Sequence, residues 1–204
     1  MIMKRALVLL AMIMSGAAYA GYDVTQQSAE LGEDQNVTLE HSTTFTLGGH
    51  AVKVGDLIPA MTLANSALKP VETQGSGKVR IYNLLVSVDT PVCVEQAVVF
   101  NTLAEKHAEY AEQLEFINVS ADTPFAQARF ISEQKLSQKV AFLSDSYKHE
   151  FGQQTGAHIE ELGLLSRAII VVGKDDRILH IQRVPELTQL PDLNTAVAIA
   201  KRHI

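Results

Sequence analysis

The sequence holds one cysteine, Cys93, in "SVDTPVC" (residues 87–93), where an apolar run ends and a helical pattern begins. A single thiol cannot form an internal disulfide, so Cys93 is either a buried apolar residue or a reactive group. Its neighbours suit a helix start. Thr90 is a favoured N-cap residue, and Pro91 fits the first helical position because its missing N–H would have had no partner there. Cys93 is then the third helical residue. Its sulfur lies at the positive end of the helix dipole, among N–H groups that have no intrahelical acceptor. The expected Thr90 cap would bring its hydroxyl close to the Cys93 N–H and sulfur. Both features favour the thiolate, the nucleophilic form.

Ionisation alone is a small gain. An ordinary thiol is roughly 3% ionised at pH 7, and lowering a thiol's pKa to about 6 raises that fraction some thirtyfold. The same change weakens the nucleophile roughly thirteenfold. A fast reaction therefore needs groups that hold the electrophile and stabilise charge as a bond breaks. Thr90 offers a hydroxyl. Among the cations, Arg167 begins "RAIIVV", a run expected to pair beside the strand that leads to Cys93; Arg80 and Arg129 are the other choices.

The elements that must position these groups follow from hydrophobic period. "VRIYNLLV" (79–86), "LEFINVSA" (114–121), "VAFLSD" (140–145) and "RAIIVVG" (167–173) read as strands. "RILHIQRV" (177–184) returns as an antiparallel partner after "KDD". Helices are expected from Pro91 to about Gln113, over 124–135, and after Pro191. "TTFTLGGHAVKV" gives two alternating runs around Gly48-Gly49, a hairpin signal. The order is hairpin, β-α-β-α-β, β-hairpin, helix. It implies an α/β fold of the thioredoxin type, with a mixed central sheet, helices on both faces and an N-terminal β-hairpin. In such sheets ligands gather beyond the carboxyl ends of the strands, where Cys93 lies.

"SVDTPVC" with "VEQAVVFN", then "SADTPFAQARF", then "SRAIIVV", resembles the thiol peroxidase branch of the peroxiredoxins, over Thr44 to the C-terminus. The near-continuous "SADTPFAQARF" is the most discriminating part. The resemblance implies a peroxidatic cysteine at Cys93, with Thr90 and Arg167 orienting the peroxide. It implies a homodimer. No cofactor or metal is expected. Two departures stand out. Val86 occupies the place of the proline that opens the family motif and shields the cysteine pocket. Ile131 occupies the place of the branch's resolving cysteine. A one-cysteine cycle is therefore expected, with an outside reductant, either a small thiol or a thioredoxin-fold protein. Without reduction, the sulfenic acid can proceed to irreversible sulfinic acid. The alternative is a non-catalytic binding or redox-sensing module derived from a peroxidase.

Residues 1–20 have the form of a secretory signal peptide: a basic "MIMKR", a short apolar "ALVLLAMIM", and "AYA" before Gly21. The expected organisation is 1–20 signal peptide, 21–43 a polar and loosely attached arm, and 44–204 the domain. Export to a bacterial periplasm follows. Without Lys4 and Arg5 the 17 basic residues become 15 against 23 acidic, a formal charge of −8. Nucleic acid and anionic membrane surfaces are poor partners for such a chain. The seven histidines (41, 50, 107, 149, 158, 180 and 203) show no paired ligand spacing. Neither local protease signature surrounds Cys93, and neither "GSG" nor "GG" makes a phosphate loop.

Overall fold

The computed structural model describes residues 21–204. The proposed leader, 1–20, lies outside the described residues. In chain order the elements are β1 (Asn36–Leu39), β2 (Thr43–Gly48), β3 (Thr62–Asn65), β4 (Pro70–Glu72) and β5 (Val79–Leu84). Next come α1 (Pro91–Lys106), a 3-10 turn at Ala108–Tyr110, β6 (Leu114–Ser120), α2 (Pro124–Glu133), β7 (Val140–Ser144) and α3 (Glu150–Thr155). The chain closes with β8 (His158–Ile159), β9 (Leu164–Leu165), β10 (Ala168–Val172), β11 (Ile178–Arg183) and α4 (Leu193–Lys201).

β5 is central and wholly buried, a strand covered on both faces, with its polar members Arg80 and Asn83 held by hydrogen bonds. It runs parallel to β6, and β6 parallel to β7. The antiparallel β10–β11 pair adds on the other side of β5, and the short antiparallel β3 and β4 complete the far edge. The main sheet order is β11-β10-β5-β6-β7-β3-β4. Inward residues of α1, α2 and α4 (Phe100, Phe130, Val197) share one apolar cluster with Ile81, Phe116 and Ile169. The opposite face, with Tyr82, Ile117 and Ile170, is covered by Phe151 of α3. The mixed sheet, the helices on both faces and the N-terminal hairpin agree with the sequence.

Two details differ from expectation. The hairpin pairs β1 with β2, joined through 40–42, rather than folding around Gly48-Gly49. Gly49 has φ +87°, and a side chain there would run into the Gln153 carbonyl. It serves close approach to α3, not a hairpin turn. The second difference is the arm, which is docked. Ala29 N–H donates to the Arg183 carbonyl at 2.9 Å, and Thr25 N–H to the Leu190 carbonyl at 2.9 Å. The buried Arg183 guanidinium donates from Nε to the Glu30 carbonyl at 2.5 Å and from Nη1 to the Asn36 carbonyl at 3.0 Å. These are mostly bonds to backbone atoms, which leave no periodic trace in a polar segment.

Candidate active site

Cys93 stands where the sequence puts it, in the third position of α1, past the carboxyl end of β5. The first backbone bond of the helix runs from the Val94 N–H to the Thr90 carbonyl at 3.0 Å. The amides of Val92 and Cys93 therefore precede the helical ladder, as the dipole argument needs. Thr90 is the N-cap residue by backbone conformation, φ −107° and ψ 139°. Its side chain does not cap. The hydroxyl donates to the Ser87 carbonyl at 3.1 Å instead, and this corrects the expected contact with the Cys93 N–H. With that proton engaged, the Thr90 oxygen keeps its acceptor capacity.

The loop before the helix is held from outside. Asp122, in "SADTP", accepts from the Ser87 hydroxyl at 2.9 Å and from the Val88 N–H at 2.8 Å. Thr123 of the same motif caps α2 by accepting from the Ala126 N–H at 3.3 Å. Arg129 pairs with Asp89 at 2.5 Å, both largely exposed, and ties α2 to the same loop. The discriminating stretch of the sequence is thus the clamp on the segment that delivers Cys93.

The three arginines separate by partner. Arg80 pairs with Asp176 at 2.5 Å near the start of β5, and Arg129 is occupied with Asp89. Arg167 immediately precedes β10, whose Ala168 registers with Leu84 at the end of β5. Its guanidinium is buried. It donates from Nη1 to the Gln96 side-chain oxygen and from Nη2 to the Leu187 carbonyl at 2.9 Å. Gln96 lies three residues after Cys93 on α1, one turn along the same helix. Gln96 Nε2 donates to Asn83 Oδ1, and Asn83 Nδ2 to Asn118 Oδ1 at 2.7 Å. A buried polar chain thus runs from Arg167 through α1 into the two central strands. The sequence reading missed Gln96 and Asp122. The signal for Gln96 was a polar residue inside the apolar stripe Cys93, Ala97 and Phe100.

Cys93 itself is 0% exposed and shares the apolar cluster of Val86, Val88, Ala97 and Leu187. Val86, in the place of the family proline, is also buried. Ile131, in the place of the resolving cysteine, packs half-buried against the same cluster. Phe125 is 71% exposed at the start of α2, whereas Phe130 is in the core and meets Phe142 edge-on with ring centroids 5.9 Å apart. The Cys93 sulfur therefore presents no surface to solvent in this structure.

Comparison with known proteins agrees with this architecture. Residues 53–197 match the redoxin family. A thiol peroxidase of Halalkalibacterium halodurans is 40% identical over 158 residues, covering 77% of this chain and 92% of that protein. The thiol peroxidase of Clostridium acetobutylicum is 34% identical over 156 residues, covering 76% and 92%. The chain belongs to the thiol peroxidases of the peroxiredoxin family. Among solved structures, a peroxiredoxin-like protein from Aquifex aeolicus superposes with a TM-score of 0.75 at 30% identity, over 85% of this chain and 99% of that one. Membership makes the protein a peroxidase that uses a thiol, and it makes Cys93 the one candidate for that thiol in the sequence.

Proposed function

We propose that this peroxidase is exported and reduces hydrogen peroxide or small organic hydroperoxides through Cys93 alone. The Cys93 thiolate attacks one peroxide oxygen, and the O–O bond breaks. The sulfur is oxidised to sulfenic acid, and the other oxygen leaves as water or an alcohol after taking a proton. Arg167 stabilises the charge that develops on the peroxide oxygens, and the Thr90 oxygen, its own proton held by the Ser87 carbonyl, accepts the peroxide O–H and so orients it. An external thiol then condenses with the sulfenic acid, releasing water and leaving a mixed disulfide. A second thiol restores Cys93 and departs as the oxidised pair. The reductant is a small thiol or a thioredoxin-fold protein, and the working unit is the homodimer that the family resemblance implies.

The observation that carries the reading is the partnering of Arg167. It is the buried arginine beside the end of β5, bonded to the helix that bears Cys93, and both its acceptors are neutral. A guanidinium held without a carboxylate keeps its field free for the oxygen on which negative charge develops as the O–O bond breaks. The export half rests on the leader pattern in residues 1–20. The test is one equivalent of peroxide added to purified protein with a sulfenic-acid trap, following mass and rate. Fast, stoichiometric modification at Cys93 is expected. A rate no greater than that of free cysteine would sink the role given to Cys93. Arg167→Gln should slow the reaction by about 10²-fold or more without loss of fold.

A further inference from the structure

The arm reaches the helix of Cys93 at one point. Glu95, two residues beyond the cysteine, accepts the Tyr22 N–H at 3.2 Å on Oε1 and 3.3 Å on Oε2. Glu95 is half-buried and makes no ion pair among the described residues. It is thus a carboxylate near the start of a helix with only an amide to balance it. Gly21 lies directly over it. A substituent on the Gly21 Cα would come within 3.0 Å of Glu95 Oε1. A turn of about 120° about the Cα–C bond of Gly21 puts the nitrogen in that place. A chain that begins at Gly21 would have a charged nitrogen free to make that turn.

We infer that Glu95 is the receiving carboxylate for the α-ammonium created when the chain is cut between Ala20 and Gly21. The inference rests on the export reading. In the cut, water adds across the peptide bond: hydroxyl goes to the Ala20 carbonyl carbon and hydrogen to the Gly21 nitrogen. The new amine takes a proton at neutral pH and carries one positive charge. The host's signal peptidase supplies the catalysis.

The pair would complete a strap between α1 and the segment after β11. From Gly21 the arm runs to the segment after β11, where Leu190 N–H donates to the Asp23 carbonyl at 2.8 Å and Thr25 N–H to the Leu190 carbonyl at 2.9 Å. Gln182 Nε2 holds the Thr25 carbonyl at 2.9 Å. The same segment carries Leu187, whose carbonyl takes Arg167 Nη2. Fixing the arm at Glu95 therefore steadies the loop that orients the arginine, and it neutralises a carboxylate two residues from the reactive sulfur.

Four proteins test it: the chain beginning at Gly21, the same chain extended by Tyr19 and Ala20, and each of these with Glu95→Gln. The readout is amide hydrogen exchange at Thr25 and Leu190. The free Gly21 end should slow both about two- to fivefold relative to the extended chain, the range expected of a solvent-accessible ion pair. The difference should vanish with Glu95→Gln and in 1 M salt, where the screening length is about 3 Å. Equal exchange in all four overturns the pairing. Separately, the N-terminal peptide of protein recovered from an expressing bacterium should begin at Gly21. A different first residue overturns the processing half. Because the exchange experiment uses chains of set ends, the two failures are distinguishable.

Discussion

Arg167 shows how much of a site is decided by partners rather than by residue type. Arg80 and Arg129 carry the same charge, but carboxylates occupy them. Arg167 is held by an amide oxygen and a backbone carbonyl, and its Nε is buried without a partner. A buried cation with neutral acceptors costs stability and keeps its field, which suits the transition-state role proposed for Arg167. Gln96 is the residue that makes this tolerable. Gln96→Leu keeps the volume but strips Arg167 of one acceptor and Asn83 of its donor. It should destabilise the protein by about 2–3 kcal/mol, read by urea unfolding. Cys93 oxidation should slow as well, since the guanidinium is then held at one end only. Thr90→Val removes a bond to the Ser87 carbonyl worth about 1 kcal/mol. Because that hydroxyl does not cap the helix, α1 should retain its helicity by circular dichroism while peroxide reactivity drops.

Among elements, the start of α1 depends on a residue outside it. Asp122 gives both its oxygens to Ser87 and Val88, so the turn before the helix is fixed from the β6–α2 loop. Asp122→Ala should cost about 1–3 kcal/mol and speed hydrogen exchange at Val88, with α2 unaffected because Thr123 caps it independently. Such cross-loop support explains what the sequence could and could not tell. The strands β5, β6, β10 and β11 were legible because their apolar runs are long enough to be covered on one or both faces. The starts of α1 and α2 were legible from a proline in each first turn. The β1–β2 pairing was not. Its turn uses Glu40 and His41 at φ +53° each, with no glycine to announce it. What sustains the turn is Glu186, 145 or more positions away, which accepts the amides of Glu40 at 2.9 Å and His41 at 3.0 Å. Local reading sees Gly48-Gly49 and chooses the wrong bend. The polar chain behind Cys93 was hidden for a related reason: Gln96, Asn83 and Asn118 are ordinary residues until three elements bring them together.

At the scale of the whole molecule, two buried carboxylates set opposite slopes of stability against pH. Burial raises the carboxyl of Glu186, but the Thr38 and Thr188 hydroxyls and the amides of Thr188 and His41 outweigh it and hold it down at about 2. A carboxyl depressed in the folded state contributes stability above its unfolded value near 4.5, and that contribution is lost as pH falls toward 2. Asp145 is the reverse. Burial pushes its carboxyl up to about 6, against the opposing bonds from the Gly152 and Phe151 amides. The folded protein then binds more protons than the unfolded chain between about 4 and 6, so stability falls as pH rises through that window. Displacement from 3.8 to about 6 corresponds to roughly 2–3 kcal/mol, or several degrees of melting temperature for a chain of this size. Melting should therefore be highest near pH 4–5, with an acid limb from Glu186 and a downward limb toward neutral pH from Asp145. Asp145→Asn keeps one of the two amide bonds and cannot ionise. It should flatten the limb between pH 4 and 6 while leaving the acid limb in place. Glu186→Gln should remove the acid limb and lower stability at neutral pH, because the five donors that the two carboxylate oxygens accept are then left to one oxygen. Thermal melts of the three proteins from pH 2.5 to 7.5 separate the contributions. A wild-type curve that rises steadily from pH 4 to 7 would mean that Asp145 is charged in the fold at no cost.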